Sequence, residues 1–438
     1  MYFRKLLTMA VLASVIPGAV LAASPDTPSD PGADKHNDQQ RLRSLEERVE
    51  QLETRPTAPA AVAGSNSFNP AISLILSGLY TNLSQDPANY RITGFPVPSS
   101  VEIGPGQRGF SLAESELGIY ANIDPYFYGG LNYSMHPDNT ASVEEAFIQT
   151  IALSGGLTAK AGRFFSGIGY LNAQHAHVWD FTDAPLAYQA FLGTQFGDDG
   201  VQIKWLAPTD TFLEFGAELG RGRSFPGSDR DKNGSGAGTV FAHVGGDIGT
   251  SHSWRAGVSV LGTSPQNREV ADTNISGNTV TNSFSGDSRL WIADFVWKYA
   301  PNGNSVRTNF KLQAEYLRRH EDGDLTYDTT GVSSTAPYDA RQSGWYLQGV
   351  YQFMPYWRAG LRTEQLDHGT VDYSSNNAKL PRSSFNPSRN SVMVDYNPSE
   401  FSRIRVQFAQ DKSRQGVTDN QAFLQYQMSL GAHGAHQY

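Results

Sequence analysis

From about Ser73 to the C-terminus the chain repeats one unit, a run of roughly ten residues whose odd and even positions differ in kind. Between Glu114 and Asp124 one side reads Leu117, Ile119, Ala121, Ile123 and the other Glu114, Glu116, Gly118, Tyr120, Asn122. After Asp124-Pro125-Tyr126 the pattern resumes, with Leu131, Tyr133, Met135 opposed to Asn132, Ser134, His136. An extended strand places successive side chains on opposite faces, so each run carries one apolar and one polar surface. Two architectures accept such strands. In a soluble sandwich the apolar faces meet in a dry core; in a transmembrane barrel they face lipid and the polar faces line a wet lumen.

The N-terminus points to the compartment. Arg4 and Lys5 precede an apolar stretch from Leu6 to about Val20, and Val20-Leu21-Ala22-Ala23 offers small residues for cleavage after Ala22 or Ala23. This is the pattern of a secretory signal peptide, residues 1–22, and it is too short to span a bilayer. No other window is long and apolar enough for a transmembrane helix, so any membrane role falls to strands. The chain has no cysteine. Disulfides, thiol catalysis, a lipoprotein anchor and Cys-based zinc sites are thereby excluded.

Three short stretches follow the signal. Residues 23–40 are rich in Pro, Asp and Asn and read as disordered. Residues 41–54 place Leu42, Leu45, Val49 and Leu52 at a and d positions of two heptads, which predicts a short coiled-coil helix or, failing a partner, an amphipathic helix packed on the following domain. Residues 55–68 form a Pro/Ala/Gly linker. The remainder, 69–438, reads as one all-β domain of about sixteen strands, a number within the range of known barrels. Tight turns marked by Pro, Gly and Asn (Asp124-Pro125, Ala207–Asp210, Gly249–Ser251, Pro301–Gly303, Met354-Pro355, Asn397–Ser399) alternate with long polar connections such as Gly220–Gly238, Gly262–Asp287, Arg318–Ser343 and Asp367–Arg389. Short turns on one rim, long loops on the other and an even strand number predict an antiparallel transmembrane β-barrel.

The two faces can be named. Val201, Ile203, Trp205; Leu213, Phe215, Leu219; Val240, Val244; Trp254, Val258; and Ile404, Val406, Phe408 belong to the lipid side. The alternate positions hold Lys160, Lys204, Glu214, Glu218, Arg255, Asp294, Lys298, Lys311, Glu315, Arg358, Arg362, Arg403 and Arg405. So many charges would be costly in a dry core and cost little beside water. A sixteen-strand barrel is too wide for side chains to fill, so a pore is expected.

The connection 166–200 breaks the pattern. It holds Tyr170, Val178, Trp179, Phe181, Leu186, Tyr188, Phe191 and Phe196, too many rings for a solvated loop, and the barrel interior is the nearest surface for them. Here the chain resembles Gram-negative outer-membrane porins, whose third external loop folds inward and narrows the pore. The run Lys160–Gly169 (KAGRFFSGIG) is similar to the strand-to-loop junction of the phosphate-selective porin group, and the heptad helix is similar to the N-terminal coiled coil of some substrate-selective porins. The sequence departs from the phosphate-selective pattern, whose lumen carries a dense Arg/Lys ladder: here the lumen charges are mixed and the net charge is -9.

The resemblance implies a passive diffusion channel for small hydrophilic solutes or ions in the outer membrane of a Gram-negative cell, assembled as a homotrimer. The expected constriction sets Asp180 and Asp183 of the loop against bases drawn from Lys160, Arg163, Lys204, Arg358, Arg362 and Arg405. Within the same loop His175 and His177 stand two apart, an arrangement that in extended backbone puts both imidazoles on one side. They either hydrogen-bond the loop to the barrel wall or bind zinc with carboxylates completing the shell, which would make the chain a metal-uptake channel or receptor-like barrel. No other cofactor is expected. His433 and His436 add a second pair near the C-terminus. A TonB-dependent receptor needs a plug domain that the coil and linker cannot supply. Enzyme motifs such as G-x-S-x-G and H-E-x-x-H are missing, leaving an outer-membrane enzyme as the least favoured reading. A sequence pI near 5.6 with no basic patch speaks against nucleic-acid binding.

Overall fold

The computed structural model describes residues 70–229 and 231–431. The signal peptide, the 23–40 stretch, the heptad helix, the linker and the tail histidines lie outside the described residues.

The strands are β1 (Ala71–Leu83), β2 (Gly109–Leu112), β3 (Ser115–Asn122), β4 (Phe127–Met135), β5 (Ala141–Thr150), β6 (Leu157–Phe165), β7 (Gly197–Leu206), β8 (Phe212–Gly220) and β9 (Ala237–Ile248). They continue as β10 (His252–Thr263), β11 (Arg268–Thr273), β12 (Thr279–Tyr299), β13 (Asn309–Tyr327), β14 (Ser334–Met354), β15 (Trp357–Asp372), β16 (Ser388–Ser399), β17 (Ser402–Lys412) and β18 (Asp419–Gly431). All eighteen belong to one sheet. β2 and β3 both pair with β1, and β10 and β11 both lie along β12, so the wall has two staves fewer than strands. It is a closed sixteen-stave barrel. Closure is made by β1 against β18, antiparallel from Ser73↔Gly431 to Leu83↔Gln421. Lipid leaves no water to satisfy an open edge, so a spanning sheet has to close in this way.

Side-chain alternation runs as the sequence reading expects. Ile203 is 58% exposed, Leu219 59% and Val258 60%, while their neighbours Gln202, Glu218 and Ser259 are buried. Leu117 and Ile119 share a face away from buried Glu116. Polar and charged side chains therefore point inward and apolar ones outward, the inverse of a soluble core.

Two expectations on strand length need correction. Gly262–Asp287 and Arg318–Ser343, read as long polar loops, are largely strand: β12 runs for 21 residues, β13 for 19 and β14 for 21. The β13–β14 ladder continues unbroken from Asn309↔Gln352 to Tyr327↔Ser334. These hairpin ends lie beyond the apolar band, where both faces meet water or the loops. Period-two apolarity, which marks a strand within lipid, therefore disappears although the hydrogen-bond ladder persists.

Inside the barrel lies a core that the strand pattern alone does not announce. The connection after β6 carries a short helix, α1 (Leu186–Leu192), all seven of whose residues are buried. It packs with Ile168, Leu171, Trp179 and Phe196 of the same loop, with Leu290, Leu317, Tyr346 and Leu366 of the wall, and with Ile92 and Phe95 from the connection between β1 and β2. Two connections thus fold inward.

Candidate functional site

The infolded loop is fastened at its base and along its length. Asn172 donates to the carbonyls of Ser166 and Phe196 at 2.9 and 2.8 Å and accepts from the Phe196 amide at 2.8 Å, so both ends of the loop are tied through one side chain. Glu218 of β8 accepts from the Ser166 hydroxyl and, at 2.9 Å, from the Gly167 amide. Glu315 of β13 accepts from the Leu171 amide at 3.0 Å and from the Tyr188 hydroxyl at 2.8 Å. The backbone turn at Gly169 (φ 64) brings it so close to Glu315 that a Cβ would lie 2.4 Å from a carboxylate oxygen. Only glycine satisfies both conditions.

The structure brings together five of the eight residues expected at the constriction. Asp180 pairs with Arg358 at 3.2 Å and with Lys311. Arg358 also reaches Asp395, whose other oxygen pairs with Arg405 at 2.8 Å. Asp183 lies 2.8 Å from Arg362 and 2.7 Å from Arg389. Arg405 in turn donates to the Trp179 carbonyl at 2.9 Å. Burial on its own would raise the Asp180 carboxyl, but Lys311 and Arg358 outweigh it and hold the pKa at about 2. Asp183 is likewise held below the usual carboxylate range by Arg362 and Arg389, against burial.

Three of the expected residues stand elsewhere. Lys160 faces the lumen but sits 4.3 Å over the Phe147 ring, and Lys204 pairs with Glu214 at 3.0 Å, both apart from the loop aspartates. Arg163 is an odd number of residues from Lys160 and so occupies the opposite face of β6. There it pairs with Asp199 at 2.6 Å, with both side chains partly exposed. The sequence reading also treats Asp180 and Asp183 as wet charges across a gap. Asp180 is only 4% exposed and Arg362 3%, because α1 and the loop rings fill the space between them and bulk water. Lys311 and Arg389 complete this network. Position in the inward register of β13 and β16 marks both as lumen-facing, but nothing in the sequence pairs them with the loop.

His175 and His177 do share one side, though not through extended backbone. A 3-10 turn spans Ala176–Val178, and the two rings stack with centroids 5.7 Å apart. His177 Nδ1 is 2.7 Å from Glu116, and His175 lies 3.1 Å from Glu144 and 3.0 Å from Glu145. Burial opposes a charged His175, yet the hydrogen bonds to Glu144 and Glu145 hold its pKa well above the usual imidazole value. These contacts join the loop to the wall at β3–β5. The acidic partners arise from a break in strand regularity. The β4–β5 register shifts between Asn132↔Glu145 and Tyr133↔Val143, leaving Glu144 as an extra residue in a bulge. A bulge re-aims one side chain, and here two consecutive glutamates both reach His175.

No family model matches the chain. An uncharacterized protein of Aquifex aeolicus (strain VF5) is 28% identical over 426 residues, spanning 90% of this chain and 86% of that protein. Among solved structures, the trimer form of OmpT, an outer membrane protein of Vibrio cholerae, superposes with a TM-score of 0.50 at 11% identity, covering 83% of this chain and 99% of that one. The fold is that of an outer-membrane barrel. The outer membrane channel DcaP of Acinetobacter baumannii is similar with a TM-score of 0.49 at 13% identity, over 83% of this chain and 97% of that one.

Proposed function

We propose that this chain is an outer-membrane porin, a passive diffusion channel for small hydrophilic solutes or ions whose aperture is set by the loop 166–200. One observation carries the reading: a closed barrel with an apolar exterior holds a polar, charged interior into which the connection 166–200 is built by specific side-chain contacts. A protein needing only a membrane anchor has no use for a lined lumen. Asp180 and Asp183 are engaged by arginines and a lysine, so this pair lends a hydrolase reading no support. Insertion into a planar bilayer should give stepwise conductance, and a folded barrel that gives no current would overturn the proposal.

The wall charges favour anions. On the inner face near the short turns stand eight bases (Lys160, Lys204, Arg255, Lys298, Lys311, Arg358, Arg403, Arg405), against which Glu214, Asp247, Asp395 and, from the loop, Asp180 make four acids. A passage with low-dielectric walls focuses such an excess and concentrates counter-ions.

Assembly as a homotrimer, steadied by residues 41–54, belongs to the same proposal, and the trimer form of OmpT supports it by likeness of fold. Deleting residues 23–54 from the mature chain should lower the oligomer's dissociation temperature in detergent while each barrel still conducts. Loss of current from inserted protein would instead make the segment part of the pore.

A further inference from the structure

The cluster where the loop meets β3–β5 gathers carboxylates from three wall positions around two imidazoles. Glu116, Glu144 and Glu145 surround the two stacked imidazoles, and Glu114 adds a fourth carboxylate with a buried oxygen that has no hydrogen-bond partner. On the wall, Lys160 acts on Glu145. Carboxylates that converge away from bulk water repel one another, and a divalent cation relieves that repulsion directly.

The geometry is more specific than the charge. One oxygen each of Glu116 and Glu144 and one nitrogen of His175 all lie within 4.8 Å of one another. His175 Nδ1 is 3.3 Å from Glu116 Oε2 and 3.1 Å from Glu144 Oε2. Ligands about 2.0 Å from a tetrahedral zinc ion are separated by about 3.3 Å along each edge, so these spacings match the edges of such a shell. The fourth corner has a candidate. Asn132 is 2% exposed, and its amide nitrogen lies 2.8 Å from Glu116 Oε2 and 3.0 Å from His175 Nδ1, while its Oδ1 is buried without a partner. Turning the amide end for end puts that oxygen, a metal donor, into the cluster.

We propose that Glu116, Glu144 and His175, with Asn132 at the fourth corner, bind a divalent first-row transition metal, zinc fitting best, which fastens the infolded loop to β3–β5. Mixed imidazole and carboxylate donors without thiolate suit zinc and disfavour Cu(I), and a site containing imidazole is a poor one for calcium. His177 holds Glu116 from its other oxygen and acts as a positioning residue, orienting the ligand. The inference rests on the barrel and its loop, and it holds whether or not the channel conducts.

The test uses the full mature chain, folded in detergent and stripped with chelator. Titration with zinc should show one ion bound per chain at micromolar or tighter affinity, with calcium failing to compete at a hundredfold excess. Cobalt should give the visible absorption of a tetrahedral site. Glu144→Gln and His175→Asn should each weaken zinc at least tenfold and abolish the zinc-induced rise in unfolding temperature, with the folded barrel checked by circular dichroism. His320→Ala, on the far external hairpin, should bind as the parent does. Stoichiometric binding that survives both substitutions would assign the metal to other residues such as the tail His433 and His436 and overturn the proposal, as would no binding. Zinc titration and bilayer current, measured on the same preparation, separate the two readings: a conducting channel that takes up no added zinc sinks the metal site alone, and a zinc-binding barrel without current sinks the porin.

Discussion

At the scale of single residues, the charges of the infolded loop act as fastenings before they act on any permeant. Asp180→Asn keeps the side chain's shape and its contact with Gln348 but removes the charge that Lys311 and Arg358 face. Breaking a buried pair from one side typically costs several kcal/mol. Arg358 retains Asp395, and the Lys311 side chain keeps 22% exposure, so the loss should be on the order of 2–3 kcal/mol. Denaturant unfolding in micelles checks this; a change within experimental scatter would mean that the aspartate is solvated after all. The same pair sets an acid limit. The folded pKa of Asp180 is about 2, below its unfolded value near 3.9, so its stabilisation is complete above that value and is lost as pH falls from about 4 toward 2. Protease access to the loop should therefore stay low at pH 5 and rise below pH 4. Asp180→Asn should be accessible at both.

At the scale of elements, the strands within the apolar band and the infolded loop were legible in the sequence for physical reasons. Lipid on one face and water on the other impose a period of two, and eight large apolar side chains in one connection demand cover. What stayed hidden was of two kinds. The extensions of β12, β13 and β14 have water or loops on both sides, so no polarity contrast betrays them. The inward turn of the β1–β2 connection hangs on isolated residues, Ile92 and Phe95, that only the helix α1 reveals as core. The candidate site was half legible. His175 and His177 announce themselves by spacing, whereas Glu144 and Glu145 converge only because of a bulge, and a one-residue register shift leaves no mark in composition. The loop itself gives the clearest element-level prediction. Replacing residues 168–194 by a short Gly/Ser linker removes α1 and most of the interior core while leaving the β6–β7 ladder intact. Single-channel conductance should rise severalfold. Unchanged conductance would place the ion path outside the loop's reach and remove it from the aperture.

At the scale of the whole molecule, charge is segregated in a way that the net value conceals. The chain totals -9, yet the inner wall near the short turns, with the loop's Asp180 included, carries four positive charges in excess. Acids gather instead on the external side and at the His175 cluster. Ions crossing the barrel respond to the local field of the passage, which low-dielectric walls focus, and the average over the surface is screened within about 8 Å at physiological salt. Anions should therefore cross more readily than cations despite the acidic pI. In a potassium chloride gradient the reversal potential should take the sign set by chloride, and the preference should shrink as salt rises. Lys204 and Lys298 test the assignment best, since neither is paired with a loop aspartate in a salt bridge: Lys204 binds Glu214, and Lys298 stands beside Lys311 across the β12–β13 pair. Lys204→Glu with Lys298→Glu changes the local sum by four and should abolish or invert the chloride preference with little effect on loop attachment. A reversal potential that follows the cation in the parent protein, or that ignores this double substitution, would show that another stretch of the passage sets selectivity.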